Sequence, residues 1–396
     1  MEDLKDMIFD LQPSEKDDRD YLAKELICGT PIILQDEFWA GDKEGYKVYD
    51  QYNTSRCTAF SCGAILSQYH YQEHGEYKRF NPNFIYGARF EKYETQREGN
   101  KLKNVYQDMQ KYGMPFYDDF NTTARTVDEC MEAFKNASDG VLEEAKKHRI
   151  DFYYKVNHEN EEEILELLHK FKTPIGISWK VWNGMKRAFG DGVLESTYED
   201  SDGYVGNHMS VLVGYKKINE KYYWIILNSW GEYVGDKGYF YIPFNADYIN
   251  EMWFSIDYKP RYIEIPMNEK HYTVNGKVVE IDTNAVIIND RIYIPLRALM
   301  EELNAIVKYD DENKLATIIR GIDKFYFSLL EDETTFFRNS AYNRFYYEDD
   351  IDRRELTKHF VDENDRTLVP IRKPFEIIVG AKVSWDNDRK MAIIEI

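Results

Sequence analysis

Residues 206–242 read GNHMSVLVGYKKINEKYYWIILNSWGEYVGDKGYFYI. Three runs within them, MSVLVGY, YYWIILNSW and GYFYI, are alternating or continuously apolar, as the strands of a barrel-like half are, and Gly, Asn, Asp and Lys punctuate the joins. His208 stands just before the first run and Asn228 closes the second, 20 residues on. Upstream, PIGISW (174–179) reads as a further strand fed by a helix near Glu161 to Phe171. Leu102 to Tyr112 reads as a helix stopped by Gly113, a suitable C-cap. Further back, six residues after Gln51, Cys57 opens CTAFSCGAILSQYHYQ, in which Ala59, Phe60, Ala64 and Ile65 fall on related faces of a helix.

A thiol with a pKa near ~8.5 is a weak nucleophile at neutral pH, and a helix N-terminus and a nearby imidazolium lower that value by several units. Cys57 begins its helix. Gln51, Cys57, His208 and Asn228, in this order and inside CTAFSCGAI, GNHMSVLVGY and ILNSWGEYVGDKGYFYI, resemble the papain family of cysteine peptidases over about Asp17 to Tyr258. A lone buried cysteine or a lone core histidine is usually packing; four such residues in the family's order are not. The resemblance implies an α+β fold with a helical half, a β half and a groove between them. It also implies roles. Gln51 and the Cys57 amide would form the oxyanion hole, Cys57 would attack, His208 would move the proton, Asn228 would fix the imidazole tautomer, and Trp230 would cover that bond from water. Asn207, Trp230 and the pair Gly99 and Asn100, in place of the family's glycine pair, would contact substrate.

Two positions depart from the family pattern: Thr58 follows the nucleophile where an aromatic is usual, and Val234 replaces the second Trp of NSWGxxW. Both are expected on the primed side of the cleft. The His208 to Asn228 interval is a few residues longer than is common, which predicts a longer hairpin between Tyr215 and Tyr223, where insertions cost little.

A chain of 396 residues with 43% hydrophobic content supports roughly two or three domains. A net charge of −20 argues against a phosphate-binding surface, so nucleic acid is excluded as the main partner, and 32 tyrosines fit half-buried strands. Cys28, Cys57, Cys62 and Cys130 form no CxxC pair and no disulfide framework, which points to a reducing compartment or a fold without staples. Cys62 reads as core, and Cys28 and Cys130 as packing residues. MEDLKDMIFDLQPSEKDDRD lacks the basic and apolar regions of a signal peptide, and no run reaches the ~18 apolar residues of a membrane span. Synthesis in the cytoplasm, with envelope or virion association in a bacterial or phage setting, is the expectation. HYQEH (70–74) has the HxxEH form of one class of zinc peptidases, but it lacks that class's downstream Glu and reads as a solvated helix end.

Past Tyr258 the composition shifts. RIYIPLRALMEELNAIVKYDDENKLATII (291–319) recurs as RTLVPIRKPFEIIVGAKVSWDNDRKMAIIEI (366–396), offset by 75 residues, each copy reading strand, PxR, helix, turn, strand. With VNGKVVEID (274–282) ahead of it, this part resembles the stalk-type domain named after the N-terminus of copper amine oxidase. His271 and His359 alone, with no Cys, make a poor copper site, so no cofactor is expected. The expected layout is a tail at 1–16, a peptidase domain at 17–260 and a duplicated β-rich α+β domain at 261–396. The expected function is Cys-His-Asn endopeptidase action on a peptide or protein substrate, with an envelope or phage-particle partner held by 261–396. Two rivals are a structural or adhesive particle component with a vestigial peptidase fold, and a peptidase of peptidoglycan cross-links.

Overall fold

The computed structural model divides the chain into two units, Met1–Tyr258 and Lys259–Ile396. It describes residues 8–17, 20–27, 29–89, 99–195, 197–198 and 203–257 of the first. Of the second it describes 261–288, 291–303, 305–310, 312–313, 315–320, 323–328, 336–339, 360–361, 367–370, 375 and 381–396. Cys28, Pro260 and His359 lie outside the described residues.

The first unit opens with a short strand, β1 (Glu37–Trp39), followed by α1 (Cys57–His74), α2 (Pro82–Ala88), α3 (Leu102–Tyr112), α4 (Val127–Lys135) and α5 (Asp139–Lys147). β2 (Ile150–Val156), α6 (Glu161–Phe171), β3 (Ile175–Trp182), β4 (Tyr204–Ile218), β5 (Lys221–Leu227), β6 (Tyr239–Pro243) and β7 (Ile249–Asp257) complete it. The strands form one antiparallel sheet in the order β2-β7-β3-β4-β5-β6, and β1 adds to the far end of β4. This is an α+β fold in which α1 to α5 precede β2 and α6 lies between β2 and β3.

α1 is the central helix. Every residue from Cys57 to Tyr69 is buried, so the helix is enclosed on all sides rather than resting one apolar face on a core. Two of its polar residues are bonded inside: Ser61 Oγ donates to the Met209 carbonyl of β4 at 3.1 Å, and Tyr69 OH donates to the Ser255 carbonyl of β7 at 2.6 Å. The first bond ties the start of α1 to the strand that carries His208, and the second ties its middle to β7. α3 ends at Gly113, whose φ of 69° and whose amide bond to Met109 O close the helix. The hairpin between β4 and β5 turns through Asn219 and Glu220, both at positive φ (47° and 65°), which is the two-residue turn that follows strand twist. The extra residues between Tyr215 and Tyr223 therefore lengthen paired strands, up to Ile218 opposite Lys221.

Residues 8–16, part of the expected tail at 1–16, do not project. Leu11 is 3% exposed, the Gln12 amide donates to the Asn100 carbonyl at 3.0 Å, and Gln12 bridges Lys101 in parallel.

In the second unit, β8 (Tyr262–Pro266), β9 (His271–Val274), β10 (Lys277–Glu280), β11 (Val286–Ile288), β12 (Arg291–Pro295), α7 (Leu296–Glu302), β13 (Ile306–Asp310), β14 (Leu315–Arg320), β15 (Asp323–Ser328) and β16 (Phe336–Asn339) precede β17 (Phe360–Val361), β18 (Thr367–Pro370), β19 (Lys382–Asp386) and β20 (Met391–Glu395). The repeat folds by pairing with itself: RIYIP of the first copy (β12) runs antiparallel to TLVP of the second (β18), with Ile294 opposite Val369. The second copy's hairpin β19-β20 continues into β8, so the two ends of this unit share one sheet. Ile263, Ile294, Leu299, Ile318, Phe375 and Ile394 belong to one buried cluster of its own.

Candidate active site

Cys57 is the first residue of α1, where the opening amides have no intrahelical acceptor, and no acidic side chain in the first turn cancels the positive end. The thiol is buried. Burial pushes it up to about 11, while the amides of Met209, Thr58 and Cys57 itself favour the thiolate. Met209 follows His208 on β4, so its amide sets the strand that carries His208 against the start of α1.

His208 is fully buried. Its Nε2 lies 2.8 Å from Asn228 Oδ1, which also accepts from Ser210 Oγ at 3.2 Å; Ser210 in turn accepts from Trp179 Nε1 at 3.2 Å. An amide oxygen can only accept, so this bond places a hydrogen on Nε2. Nδ1 is then the lone-pair nitrogen, and it has no partner among the described residues. Burial pulls the imidazole down to about 4, with the Asn228 bond acting the other way. The Trp230 ring lies over it, with centroids 4.6 Å apart and planes inclined at 35°, and Trp230 is itself buried. Asn228 is held by its own amide, which donates to Gly238 O at 3.0 Å.

Gln51 is fixed from both ends. Its amide donates to Ser229 O at 2.8 Å, Ser229 Oγ donates to its Oε1 at 2.6 Å, and its Nε2 donates to Thr54 O at 2.6 Å. One Nε2 hydrogen remains for another acceptor. Arg56, next to the nucleophile, is buried with neutral partners: its Nε donates to Thr54 Oγ1 at 3.0 Å, and Nη1 donates to Ala124 O at 3.2 Å and to Asn83 Oδ1. Thr54 Oγ1 passes the chain back to Gln51 O at 2.6 Å. The sequence reading missed Arg56, Ser210 and Ser229. Ser210 was reachable, since it lies two residues from His208 on one face of a strand; nothing in SRC marks Arg56 as buried.

Gly99, Asn100 and Asn207 face residues 9–12. The Gly99 amide donates to Asp10 Oδ2 at 3.1 Å, and Asn207 Nδ2 donates to Leu11 O at 3.3 Å. Thr58 and Val234, expected to line the cleft, are both buried, so neither offers a surface in this state. The helix end at HYQEH is only partly solvated. His74 is exposed, but His70 packs edge-on to Phe116 at 5.3 Å and is pulled down to about 4 by burial. Cys62 and Cys130 are buried and free. Among the described residues no cluster of three or more His, Cys, Asp or Glu could hold a metal ion, and no helix is long and apolar enough to cross a membrane.

A family model described as papain family cysteine protease matches residues 39–255. The chain belongs to the papain family. A second model, described as copper amine oxidase N-terminal domain, matches residues 253–318. Oryzain gamma chain of Oryza sativa subsp. japonica is 39% identical over 67 residues; the match spans 17% of this chain and 18% of that protein's length. Among solved structures, xylellain, a cysteine protease from Xylella fastidiosa, superposes with a TM-score of 0.52 at 20% identity, over 63% of this chain and 96% of that one. ProCathepsin B S9 from Trypanosoma congolense gives 0.47 at 15% identity, over 64% and 87%. At such identities the xylellain likeness speaks for the papain-family fold alone.

Proposed function

We propose that the first unit is a cysteine endopeptidase that works through an acyl-enzyme on Cys57. The Cys57 sulfur attacks the scissile carbonyl carbon and the peptide C–N bond breaks. His208 delivers the thiol's proton to the leaving amine, and a thioester remains. His208 then takes a proton from water as the hydroxide adds, and the carboxylic acid leaves as the thiol is restored. Gln51 Nε2 and the Cys57 amide receive the oxyanion, where one donor is typically worth about 2.7–4 kcal/mol. The observation that carries this reading is the buried His208–Asn228 bond of 2.8 Å, which leaves Nδ1 without a partner beside the helix that begins at Cys57. Cleavage of a peptide library by the full chain, absent from a Cys57→Ala control, is the expected result. A library left uncut by the wild type, or cut equally by Cys57→Ala, would sink it.

The second unit is proposed as a binding or spacer module that tethers the peptidase to an envelope or phage-particle partner. In its support, it carries its own core and a repeat that pairs with itself. Removing it should cost localisation or cleavage of large substrates while sparing small peptides. Loss of small-peptide turnover would contradict the division of labour.

A further inference from the structure

We propose that a cavity of the first unit, separate from the Cys57 and His208 site, binds an aliphatic diamine or polyamine. The cavity, of about 790 Å³, lies between residues 22–32 and the stretch 155–166, which runs from the end of β2 into α6. Its lining includes none of Gln51, Cys57, His208 and Asn228, nor Gly99, Asn100 or Asn207, so the proposal stands apart from the peptidase reading. The volume suits a small organic ligand. Its walls are tied together rather than merely adjacent. The Lys155 amide donates to Tyr21 O at 2.6 Å, and Leu22 bridges Lys155 in parallel. Further along the segment, the Gly29 amide donates to Glu166 Oε2 at 3.0 Å and Lys170 Nζ donates to Leu26 O at 2.9 Å. Residues 22–29 are thus fixed to β2 at one end and to α6 at two points.

The lining has an apolar part and an anionic part. Leu22, Ile27, Pro31, Val156 and Leu165 supply the apolar surface. Among them stands Glu163, in the first turn of α6 and only 5% exposed. Its Oε1 accepts from the Asn157 amide at 2.9 Å, and its own amide donates to the N-cap Asn160 Oδ1 at 3.2 Å, which fixes the residue at both ends. Oε2 takes no donor among the described residues. Burial pushes this carboxyl up, while the Asn157 amide and Lys24 favour the carboxylate. A buried carboxylate with one oxygen unfilled is costly, and an ammonium donating to that oxygen offsets the cost. The exposed Glu159 and Glu162 line the same cavity and offer a second anionic point. Glu161 to Glu163 also outweigh the positive end of α6, which would otherwise repel a cation. A cation at each end of a methylene chain matches this order: carboxylate inside, apolar walls, carboxylates beyond. Lys24 and Lys155 line the cavity too, so the attraction is local to the glutamates and not a general negative field. A metal ion is the poorer occupant, since among the described residues no cluster of three or more His, Cys, Asp or Glu could hold one.

The test is calorimetric titration of the full chain at neutral pH with 1,5-diaminopentane, beside 1-aminopentane and 1,5-pentanediol as the one-cation and uncharged controls. Saturable one-to-one binding that weakens in the order diamine, monoamine, diol is expected. Glu163→Gln keeps an acceptor for the Asn157 amide and removes only the charge, so it should weaken the diamine about tenfold to a hundredfold. Glu162→Gln, at an exposed position, should weaken it about twofold to fivefold. Thermal unfolding of each variant checks that it is folded, and if Glu163→Gln is not, the order of the three ligands on the wild type decides. No saturable binding of the diamine, a diol that binds as tightly, or equal weakening by Glu163→Gln and Glu162→Gln would overturn the proposal. Peptide hydrolysis plays no part in this readout, so the peptidase reading and the amine site fail separately.

Discussion

Replacing Asn228 by Ala removes one acceptor from two donors. His208 Nε2 loses its partner at 2.8 Å and Ser210 Oγ its partner at 3.2 Å, in a site where both side chains are buried. An orphaned buried donor costs about 1–3 kcal/mol, so the pair and the small void left behind should lower stability by about 3 kcal/mol. For a unit of this size that is a fall in Tm of about 6–12 °C. Catalysis should suffer separately, because without the Oδ1 acceptor nothing holds the hydrogen on Nε2, and the tautomer with Nδ1 protonated cannot receive the Cys57 proton. We expect a loss of about 10- to 100-fold in kcat/KM, mostly in kcat, or about 1.4–2.8 kcal/mol. The assay is hydrolysis of a small peptide at 25 °C, beside thermal unfolding of the same samples. Ser210→Ala provides the graded comparison. It leaves the His208–Asn228 bond intact and orphans only Trp179 Nε1, so it should cost about 1–2 kcal/mol of stability and little activity. An Asn228→Ala protein with unchanged kcat/KM and unchanged Tm, or a Ser210→Ala protein as crippled as Asn228→Ala, would refute the reasoning.

Acid should loosen the first unit through His208. Its folded value, about 4, lies below the unfolded ~6.5, so the unfolded chain binds more protons in that window; the contribution is whole above 6.5 and is lost as pH falls towards 4. Between pH 7 and 4.5 urea stability should fall by about 2–3 kcal/mol more in the wild type than in His208→Asn, and parallel pH profiles would contradict it. Arg56→Met strips donors from Asn83 Oδ1, Ala124 O and Thr54 Oγ1. It should lower kcat more than it raises KM by loosening Thr54 and with it Gln51, and a pure stability loss with normal kcat would remove Arg56 from that role. Glu220→Gly relieves a left-handed residue at a hairpin tip whose ion pair with Lys217 is exposed. It should raise Tm by about 1–3 °C, and a fall would show that the pair outweighs the strain. Residues 261–396 alone should give a cooperative thermal transition, since their core is separate from that of the first unit; a chain without one would place that core's support elsewhere.

The elements nearest the chemistry were legible because each carried two signals at once. α1 was marked by a cysteine at its start and small residues along it, α3 by its periodicity and Gly113, and β4 and β5 by apolar runs that end at a His and an Asn. Their mutual distance was not in any local pattern; it came with the order of the four residues in a known family. Long-range pairing was out of reach for the same reason. The acids, Pro13 and Ser14 around Phe9 and Leu11 make residues 8–16 read as part of a tail, and only the partners at 99–101 and 207–208 show them to be packed. The repeat announced two similar units but not that β12 would pair with β18, because register between copies depends on sheet geometry and not on either copy's pattern. Arg56 was hidden by the opposite bias: a cation beside a Ser reads as surface, and its three acceptors come from α2, a distant loop and its own turn.

The central claim is that Cys57 is the nucleophile, and peptidyl-epoxide labelling of the full chain tests it most directly. Intact mass and peptide mapping should show a single adduct on Cys57, absent from Cys57→Ala and accompanied by complete loss of peptide hydrolysis. Adducts spread equally over the four cysteines, or hydrolysis that survives full modification of Cys57, would contradict it.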